Sequence, residues 1–203
     1  GVCTLAGLRR LSDADVREFD FSRLRESPLL RSINLARSNA DDAAMKSIGE
    51  MSSLRRLFLT HTNITDAGVG MLGRLRMLER IAVSHTHLTD SACGKLACLV
   101  GLESITACHT GIGDQGVETL SGLPHLKILW LDDTPVTDAC LPVIAHMKSL
   151  TRLHLNDTQI SGAMLEHLLQ LPNLERLHVR GVRLDVDVAA KLQFALPKLQ
   201  IYS

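Results

Sequence analysis

A single repeating pattern of apolar positions runs through most of this chain. Leucines recur at intervals of 24 residues, at Leu30, Leu54, Leu78, Leu102, Leu126, Leu150 and Leu174. Counted from each of these leucines, position 4 is always Leu or Ile, position 6 is Leu, Val or Ala, and position 19 is Leu or Ile. A pattern kept this strictly does not arise by chance, so it predicts seven structural units over residues 30–198.

Each unit is predicted to form a strand followed by a short helix. Apolar residues at positions 4 and 6 flank a variable residue, which is the alternation of a half-buried strand. Later in the unit the apolar residues fall at positions 11, 16, 19 and 22, which is helical spacing. The residues that introduce it, Thr65, Thr89, Thr137 and Ser161, are good N-caps. Because one unit cannot bury its own apolar stripe, neighbouring units must stack into a solenoid with a parallel sheet.

The repeat resembles the leucine-rich-repeat family, whose pattern is L-x-x-L-x-L-x-x-N/C-x-L. The resemblance implies an α/β fold, a curved solenoid with a parallel β-sheet on its concave face and short helices on its convex face. The sequence departs from the family at position 9, where hydroxyl residues replace Asn or Cys. These are Ser38, Thr62, Thr86, Thr110, Thr134 and Thr158, with Val182 in the last unit. We expect the hydroxyls to form a ladder from repeat to repeat that satisfies buried backbone groups.

Both ends of the chain depart from the repeat. Residues 1–29 are predicted to form an N-terminal cap, with a short helix starting near Ser12 and a degenerate strand supplied by Val16, Phe19 and Phe21. Residues 199–203 resemble the beginning of a further repeat that stops within its strand. Since a solenoid end without a polar cap exposes its core, we expect the chain to be a fragment of a longer protein, or a partner to cover this end.

Composition and charge narrow the classes of function. The chain has 203 residues, with 22 Lys and Arg against 22 Asp and Glu, so it lacks the basic excess typical of nucleic-acid binding. No apolar run approaches the roughly 20 residues needed to cross a membrane. Five cysteines, an odd number without a CxxC pair, argue against a disulfide framework or a structural zinc site. We therefore expect a cytoplasmic protein of a reducing compartment, without a cofactor and without a membrane or nucleic-acid partner.

Side chains at positions 3, 5 and 7 are expected to face the concave side. Four of the seven position-3 residues are arginine, and position 5 holds the chain's single Trp and one of its four Phe. Exposed aromatic residues beside arginines are typical of binding hot spots. The candidate binding residues are Arg56, Phe58, Arg80, Trp130, Asp132, Arg152, His154, Arg176, His178 and Arg180. Trp130 in particular should meet Arg152 and the column neighbours of Phe58.

Position 8 predicts a polar edge along one side of the sheet. It holds His61, His85, His109, Asp133 and Asp157, spaced about 4.8 Å apart from repeat to repeat. Zinc needs imidazole nitrogens that converge to about 2.1 Å from one ion, whereas His61 and His109 are two repeats apart. A solvated polar edge is therefore favoured over a metal site, and no metal is predicted.

Two other patterns could carry chemistry. Residues 111–116 match the dinucleotide fingerprint G-x-G-x-x-G, but the equivalent segments of other repeats lack the three glycines, and a solenoid lacks the doubly wound sheet that the motif needs. Cys108 falls on the concave side near His85 and His109, but no base geometry or oxyanion site can be argued for nucleophilic catalysis. Cys93 and Cys140 fall at or beside convex apolar positions, where they are expected to fill the core.

The resemblance implies a non-enzymatic scaffold that binds a protein partner through its concave face. One alternative is the substrate-recognition part of a larger ubiquitin ligase or bacterial effector, which requires sequence outside these 203 residues. A metal-binding or nucleotide-using enzyme is a further, disfavoured alternative. No catalytic residue is predicted.

Overall fold

The computed structural model describes residues 10–11 and 29–203. The helix predicted near Ser12 and the strand predicted at Val16, Phe19 and Phe21 lie outside these residues. Arg10–Leu11 form a two-residue strand that pairs with the first repeat, a strand that the sequence pattern did not predict.

The strands form one parallel sheet in chain order. Among the described residues the sheet has nine strands. They are β1 (Arg10–Leu11), β2 (Ser32–Asn34), β3 (Arg56–Phe58), β4 (Arg80–Ala82), β5 (Ser104–Thr106), β6 (Ile128–Trp130), β7 (Arg152–His154), β8 (Arg176–His178) and β9 (Gln200–Tyr202). From β2 onward, each residue pairs with the residue at the same position of the next repeat, so that Leu57 lies beside Ile81. The predicted strand is therefore confirmed, but it begins one residue earlier than expected and runs from position 3 to position 5 instead of 4 to 6.

Short helices follow the strands and close the other side of the core. They are α1 (Asp42–Ile48), α2 (Asp66–Gly70), α3 (Asp90–Leu96), α4 (Asp114–Leu120), α5 (Leu141–Ile144) and α6 (Val186–Ala195). A 3₁₀ turn at Asp138–Cys140 precedes α5, and the next repeat has only a 3₁₀ segment, Gly162–Gln170. Pro142 lies in the first turn of α5, where its missing N–H costs no helical hydrogen bond.

Leucines and isoleucines of the repeat form a continuous core between the sheet and the helices. Residues at positions 1, 4 and 6 are buried along the array, as Leu126, Leu129 and Leu131 show within one repeat. Cys93 and Cys140 lie in this core, as predicted. In the part of the chain that the structure describes, no helix has the length and apolar character that crossing a membrane would require.

Three of the four predicted N-caps are confirmed. The hydroxyls of Thr65, Thr89 and Thr137 accept the backbone N–H two residues later at 3.2 to 3.3 Å. Ser161 was predicted to cap in the same way, but it precedes the 3₁₀ segment and forms no such bond.

The aspartates that begin the helices join neighbouring repeats. The two carboxylate oxygens of Asp66 accept the backbone N–H of Thr89 at 2.8 Å and its hydroxyl at 2.6 Å. Equivalent pairs of bonds run from Thr65 to Asp42, from Thr137 to Asp114 and from Ser161 to Asp138. In the remaining case Asp90 accepts only the backbone N–H of Gly113, at 2.6 Å, because glycine has no hydroxyl.

The position-9 threonines satisfy backbone carbonyls, as predicted, but each does so inside its own repeat and not as a ladder from repeat to repeat. The side chains of Thr62, Thr86, Thr110, Thr134 and Thr158 donate to the carbonyl three residues earlier at 2.5 to 2.7 Å. The hydroxyl reaches this carbonyl because the chain turns inward between the two residues. Side-chain bonds that join neighbouring repeats include those at the starts of the helices, such as the bonds from Thr89 to Asp66.

Packing explains the glycines of residues 111–116. Gly113 is the N-cap of α4, and a Cβ on Gly116 would lie 2.5 Å from a carboxylate oxygen of Asp90 and 2.9 Å from the sulfur of Cys93. No side chain fits there without displacing the neighbouring repeat. The pattern therefore serves the contact between α3 and α4.

Candidate functional site

The concave side of the sheet contains a groove of about 630 Å³. It brings together half of the predicted concave residues and the whole polar edge, namely Trp130, Asp132, His154, His178 and Arg180 with His61, His85, His109, Asp133 and Asp157. The groove also contains Cys108, as the alternation predicted. Arg56, Phe58, Arg80, Arg152 and Arg176 do not line it.

Four consecutive position-5 side chains form a stack of rings. The centroids of Trp130 and His154 lie 4.3 Å apart, those of His154 and His178 3.9 Å, and those of His178 and Tyr202 4.2 Å. The residue-for-residue pairing of β6 to β9 sets rings of successive strands face to face. The indole of Trp130 stacks on His154, the next member of its column, whereas the expected contact with Arg152 stays a prediction. The sequence predicted Trp130, His154 and His178 on this face but missed Tyr202, because the further repeat was taken to begin at residue 199. Tyr202 lies 24 residues after His178 and pairs with it.

Trp130 is half-buried within this stack. Its indole Nε1 is shielded from solvent and has no hydrogen-bond acceptor among the described residues. Buried donors are normally satisfied, so this N–H is an exception at the floor of the groove.

The three histidines of the polar edge form a second stack. The ring centroids of His61 and His85, and those of His85 and His109, are 4.0 Å apart, with 10° and 19° between the planes. Burial, together with the charge that His109 and His61 would carry, lowers the pKa of His85. At the end of the stack, Nδ1 of His109 lies 3.1 Å from a carboxylate oxygen of Asp133.

Position 8 has a left-handed backbone in every repeat. The φ angles are 60° at Arg37, 57° at His61, 54° at His85, 52° at His109, 56° at Asp133, 54° at Asp157 and 80° at Gly181. Few side chains adopt this conformation readily, and His and Asp are among the more tolerant. The turn after each strand therefore restricts which residues can occupy position 8. The repeat pattern did not predict this restriction, although Gly181 is a sequence signal of it.

Asp132 is the most highly bonded acid of the groove. One oxygen accepts the backbone N–H of Asn156 at 2.8 Å, and the other lies 3.5 Å from Nδ1 of His154 and 3.7 Å from the sulfur of Cys108. Partial burial disfavours ionisation of Asp132, but the bonds from His154 and Asn156 outweigh it and lower its pKa. Burial and the adjacent carboxylate both raise the pKa of Cys108. Cys108 is therefore held as a neutral thiol, which disfavours nucleophilic chemistry.

The far end of the groove is closed by an ion pair. Nη2 of Arg180 lies 2.6 Å from a carboxylate oxygen of Asp157, so this predicted contact residue already has a partner within the chain. Burial and the neighbouring His154 lower the pKa of His178. The groove is thus lined mainly by imidazoles, the indole of Trp130 and the carboxylates of Asp132, Asp133 and Asp157.

Comparison with known proteins agrees with this geometry. A family model described as a leucine-rich repeat matches residues 50–73. Internalin C2 of Listeria monocytogenes shares 23% identity at a TM-score of 0.77, over 97% of this chain and 82% of its own. The chain has the fold of a leucine-rich-repeat solenoid.

Two further solved structures share the fold. Another internalin of Listeria monocytogenes shares 20% identity at a TM-score of 0.72, over 98% of this solenoid and 62% of its own chain. A leucine-rich-repeat protein of Leptospira interrogans shares 16% identity at a TM-score of 0.57, over 89% of this solenoid and 56% of its own chain. The solenoid thus spans less than two thirds of both of these chains. No curated protein matches it.

The solenoid arranges its histidines for stacking. Among residues 29–203, no group of three or more His, Cys, Asp or Glu side chains is placed to hold a metal ion. The rings of His61, His85 and His109 lie face to face, so their nitrogens point alongside one another instead of toward a common point. Such a surface can donate and accept hydrogen bonds and offer flat apolar faces to a ligand.

Proposed function

We propose that this solenoid is a non-enzymatic scaffold that binds a protein partner through its concave face. Leucine-rich-repeat proteins are in general interaction modules, and one observation here supports the concave face in particular. Trp130, His154 and His178 line an open groove instead of filling the core, and Tyr202 continues their stack of rings. Large flat rings that are fixed before binding offer contact area with little loss of side-chain entropy.

The groups in the groove favour binding over catalysis. As a thiolate, Cys108 would be the strongest nucleophile of the groove. Burial and the charge of Asp132 raise the pKa of its thiol and keep it neutral. Asp132 is occupied by bonds from Asn156 and His154. A catalytic centre needs a base and a nucleophile arranged around a free reaction site, and these contacts serve the solenoid itself.

The proposed partner is a protein and not a nucleic acid or a membrane surface. The chain has as many acidic as basic residues, and Asp132 and Asp133 line the groove. Their carboxylates would repel phosphates from the ring stack. If the chain is part of a ubiquitin ligase or an effector, the same groove would be its substrate-recognition surface.

Site-specific photo-crosslinking tests this proposal. A benzophenone amino acid in place of Phe58 or Thr60 places the reactive group on the concave face, and the same amino acid in place of the exposed Lys95 places it on α3. We expect one protein adduct from both concave positions and none from position 95. Adducts from position 95 alone would overturn the proposal.

We also propose that the scaffold works in a reducing, cytoplasmic compartment. Cys93, Cys98, Cys108 and Cys140 are free cysteines, and burial raises the pKa of Cys93 and Cys140 to about 12. Cys98 is exposed, so its redox state reports on the compartment. Rapid alkylation of intact cells should recover Cys98 as a free thiol. Its recovery as a mixed disulfide, or of the chain from the extracellular medium, would contradict this placement.

A further inference from the structure

Four arginines of the concave face lie in two adjacent pairs. Parallel pairing sets Arg56 beside Arg80 on β3 and β4, and Arg152 beside Arg176 on β7 and β8. Among the described residues, none of the four guanidinium groups has a carboxylate within ion-pair distance. Like charges directly opposite one another in a sheet are destabilising, so the electrostatic energy of these pairs does not stabilise the fold.

Two ion pairs lie in the neighbouring column, at position 2 of the repeats. Arg55 pairs with Glu79, and Lys127 pairs with Glu103 at 3.0 Å. These carboxylates are therefore committed to other cations. Within the described part of the chain, the four position-3 arginines therefore have no paired carboxylate, although the formal net charge of the chain is zero.

A shallow depression of about 340 Å³ lies between the two arginine pairs. Arg80 and Arg152 flank it, and Ser104 and Ile128 lie between them on β5 and β6. Thr151 and the paired side chains of Glu103 and Lys127 complete its lining, and Lys127 neutralises the carboxylate of Glu103 there. Because adjacent strands are about 4.8 Å apart, the backbones of Arg80 and Arg152 are about 14 Å apart. The depression can therefore take a chain that crosses the strands and presents an anionic group to each arginine.

We propose that the concave face binds an acidic segment of its protein partner, with carboxylates on Arg80 and Arg152. An extended chain rises about 3.3 Å per residue, so acidic side chains four residues apart project from the same side about 13 Å apart. The intervening residues would lie over Ser104 and Ile128, next to the ring of Trp130. This inference rests on the proposed function and adds the chemistry of the partner to it.

Synthetic peptides test the inference directly. The probe is an extended seven-residue peptide, Gly-Glu-Ala-Val-Ala-Glu-Gly with blocked ends, and the controls carry Gln in place of Glu or place the two Glu side by side. Nε–H resonances of Arg80 and Arg152 and the fluorescence of Trp130, the chain's only Trp, report binding. We expect the probe to shift both arginine resonances, with an affinity that falls as salt rises. Equal binding of the Glu and Gln peptides, or no binding of the probe, would overturn the inference.

Two matched variants assign the effect to the arginines. We expect the double variant Arg80→Gln and Arg152→Gln to weaken the probe about fivefold or more. The exposed Arg74 lies outside the sheet, so Arg74→Gln should leave binding unchanged. Equal loss of affinity in both variants would mean that the probe senses only the overall charge of the chain. Tighter binding of a short single-stranded DNA than of the probe would mean that the position-3 arginines bind phosphate. Either result contradicts the inference.

The fate of the cross-linked partner separates the two proposals. If the partner binds the double arginine variant normally but loses affinity for Trp130→Ala, the concave face is the interface and the acidic segment is wrong. If the partner cross-links only to α3, both proposals fail.

Discussion

The indole of Trp130 lies against the imidazole of His154, with ring centroids 4.3 Å apart and 17° between the planes. Both residues occupy the last strand position of their repeats, and the pairing of β6 with β7 places them side by side. His154 in turn lies 3.5 Å from Asp132 through its Nδ1. The ring that is expected to meet a partner is therefore fixed by the solenoid before the partner arrives.

Removal of an inter-repeat aspartate should destabilise the solenoid. In Asp114→Ala the backbone N–H and the hydroxyl of Thr137 lose carboxylate bonds of 2.8 and 2.6 Å, which should lower the free energy of unfolding by about 1.5–3 kcal/mol. Asp187, in the first turn of α6, is exposed and makes no such bond between repeats, so Asp187→Ala is the control. Urea denaturation measures both variants. Equal midpoints would show that these bonds do not hold the repeats together.

The buried hydroxyl of Thr110 should also contribute to stability. It donates to the carbonyl of Ala107 at 2.7 Å, and Thr110→Val leaves that carbonyl without this donor inside the core. We expect a loss of about 1–2 kcal/mol in the free energy of unfolding. In Thr119→Val the lost bond, to the carbonyl of Gln115, is exposed to water, so the cost should be smaller. A Thr110→Val variant as stable as the wild type in urea would contradict this role.

Two glycines of neighbouring helices should respond in opposite directions to alanine. A Cβ at Gly116 would lie 2.5 Å from a carboxylate oxygen of Asp90, so Gly116→Ala should cost about 1–3 kcal/mol. A Cβ at Gly94 has no atom within 4 Å, and Gly94 lies inside α3, so Gly94→Ala should stabilise by about 0.5–1 kcal/mol. Thermal unfolding of the two variants measures the difference. A tolerated alanine at 116 would show that the helices can move apart.

The stacked histidines should make stability depend on pH. The pKa of His85 is lowered in the folded chain, so above the ordinary value of 6.5 the imidazole is neutral in both states and has no effect. As the pH falls below 6.5, the unfolded chain binds more protons than the folded chain, and the free energy of unfolding decreases until the folded pKa is passed. His178 acts in the same direction, since its pKa is also lowered.

NMR titration and a substitution check this dependence. The imidazole resonances of His85 should titrate below pH 6.5. In His85→Gln the loss of stability between about pH 8 and about pH 5 should be smaller than in the wild type. A His85 that titrates above 6.5, or a variant with the wild-type pH profile, would contradict the effect of the stack.

The sequence predicts the solenoid because burial of one strand face sets the register. Leu129 and Leu131 are buried and Trp130 between them is not, as the alternation requires. The pattern also predicts that the Thr110 hydroxyl satisfies a buried backbone group, but not that the group is the carbonyl of Ala107 in its own repeat. The repeat shows which residues align and not how the turn directs each side chain. For the same reason, the pattern did not predict that aspartates at the starts of the helices, such as Asp66, bond to the next repeat.

The sequence predicts which residues face the groove better than it predicts how their side chains interact. The alternation places His154 and His178 on the concave face, but ring stacking depends on side-chain rotamers that no pattern specifies. The left-handed φ at His85 was also missed, because histidine tolerates that conformation without requiring it as glycine does. Arg180 appeared free in the sequence, whereas the structure pairs it with Asp157.

The central claim is tested most directly by calorimetric titration of the Trp130→Ala variant with the partner that cross-linking identifies. We expect a variant that unfolds cooperatively, as the wild type does, yet binds the partner more weakly by about 2 kcal/mol or more, because it lacks the ring that anchors the stack. Met77→Ala removes an exposed apolar side chain outside the sheet and should bind normally. A folded Trp130→Ala variant with wild-type affinity would contradict the account and place the interface elsewhere on the solenoid.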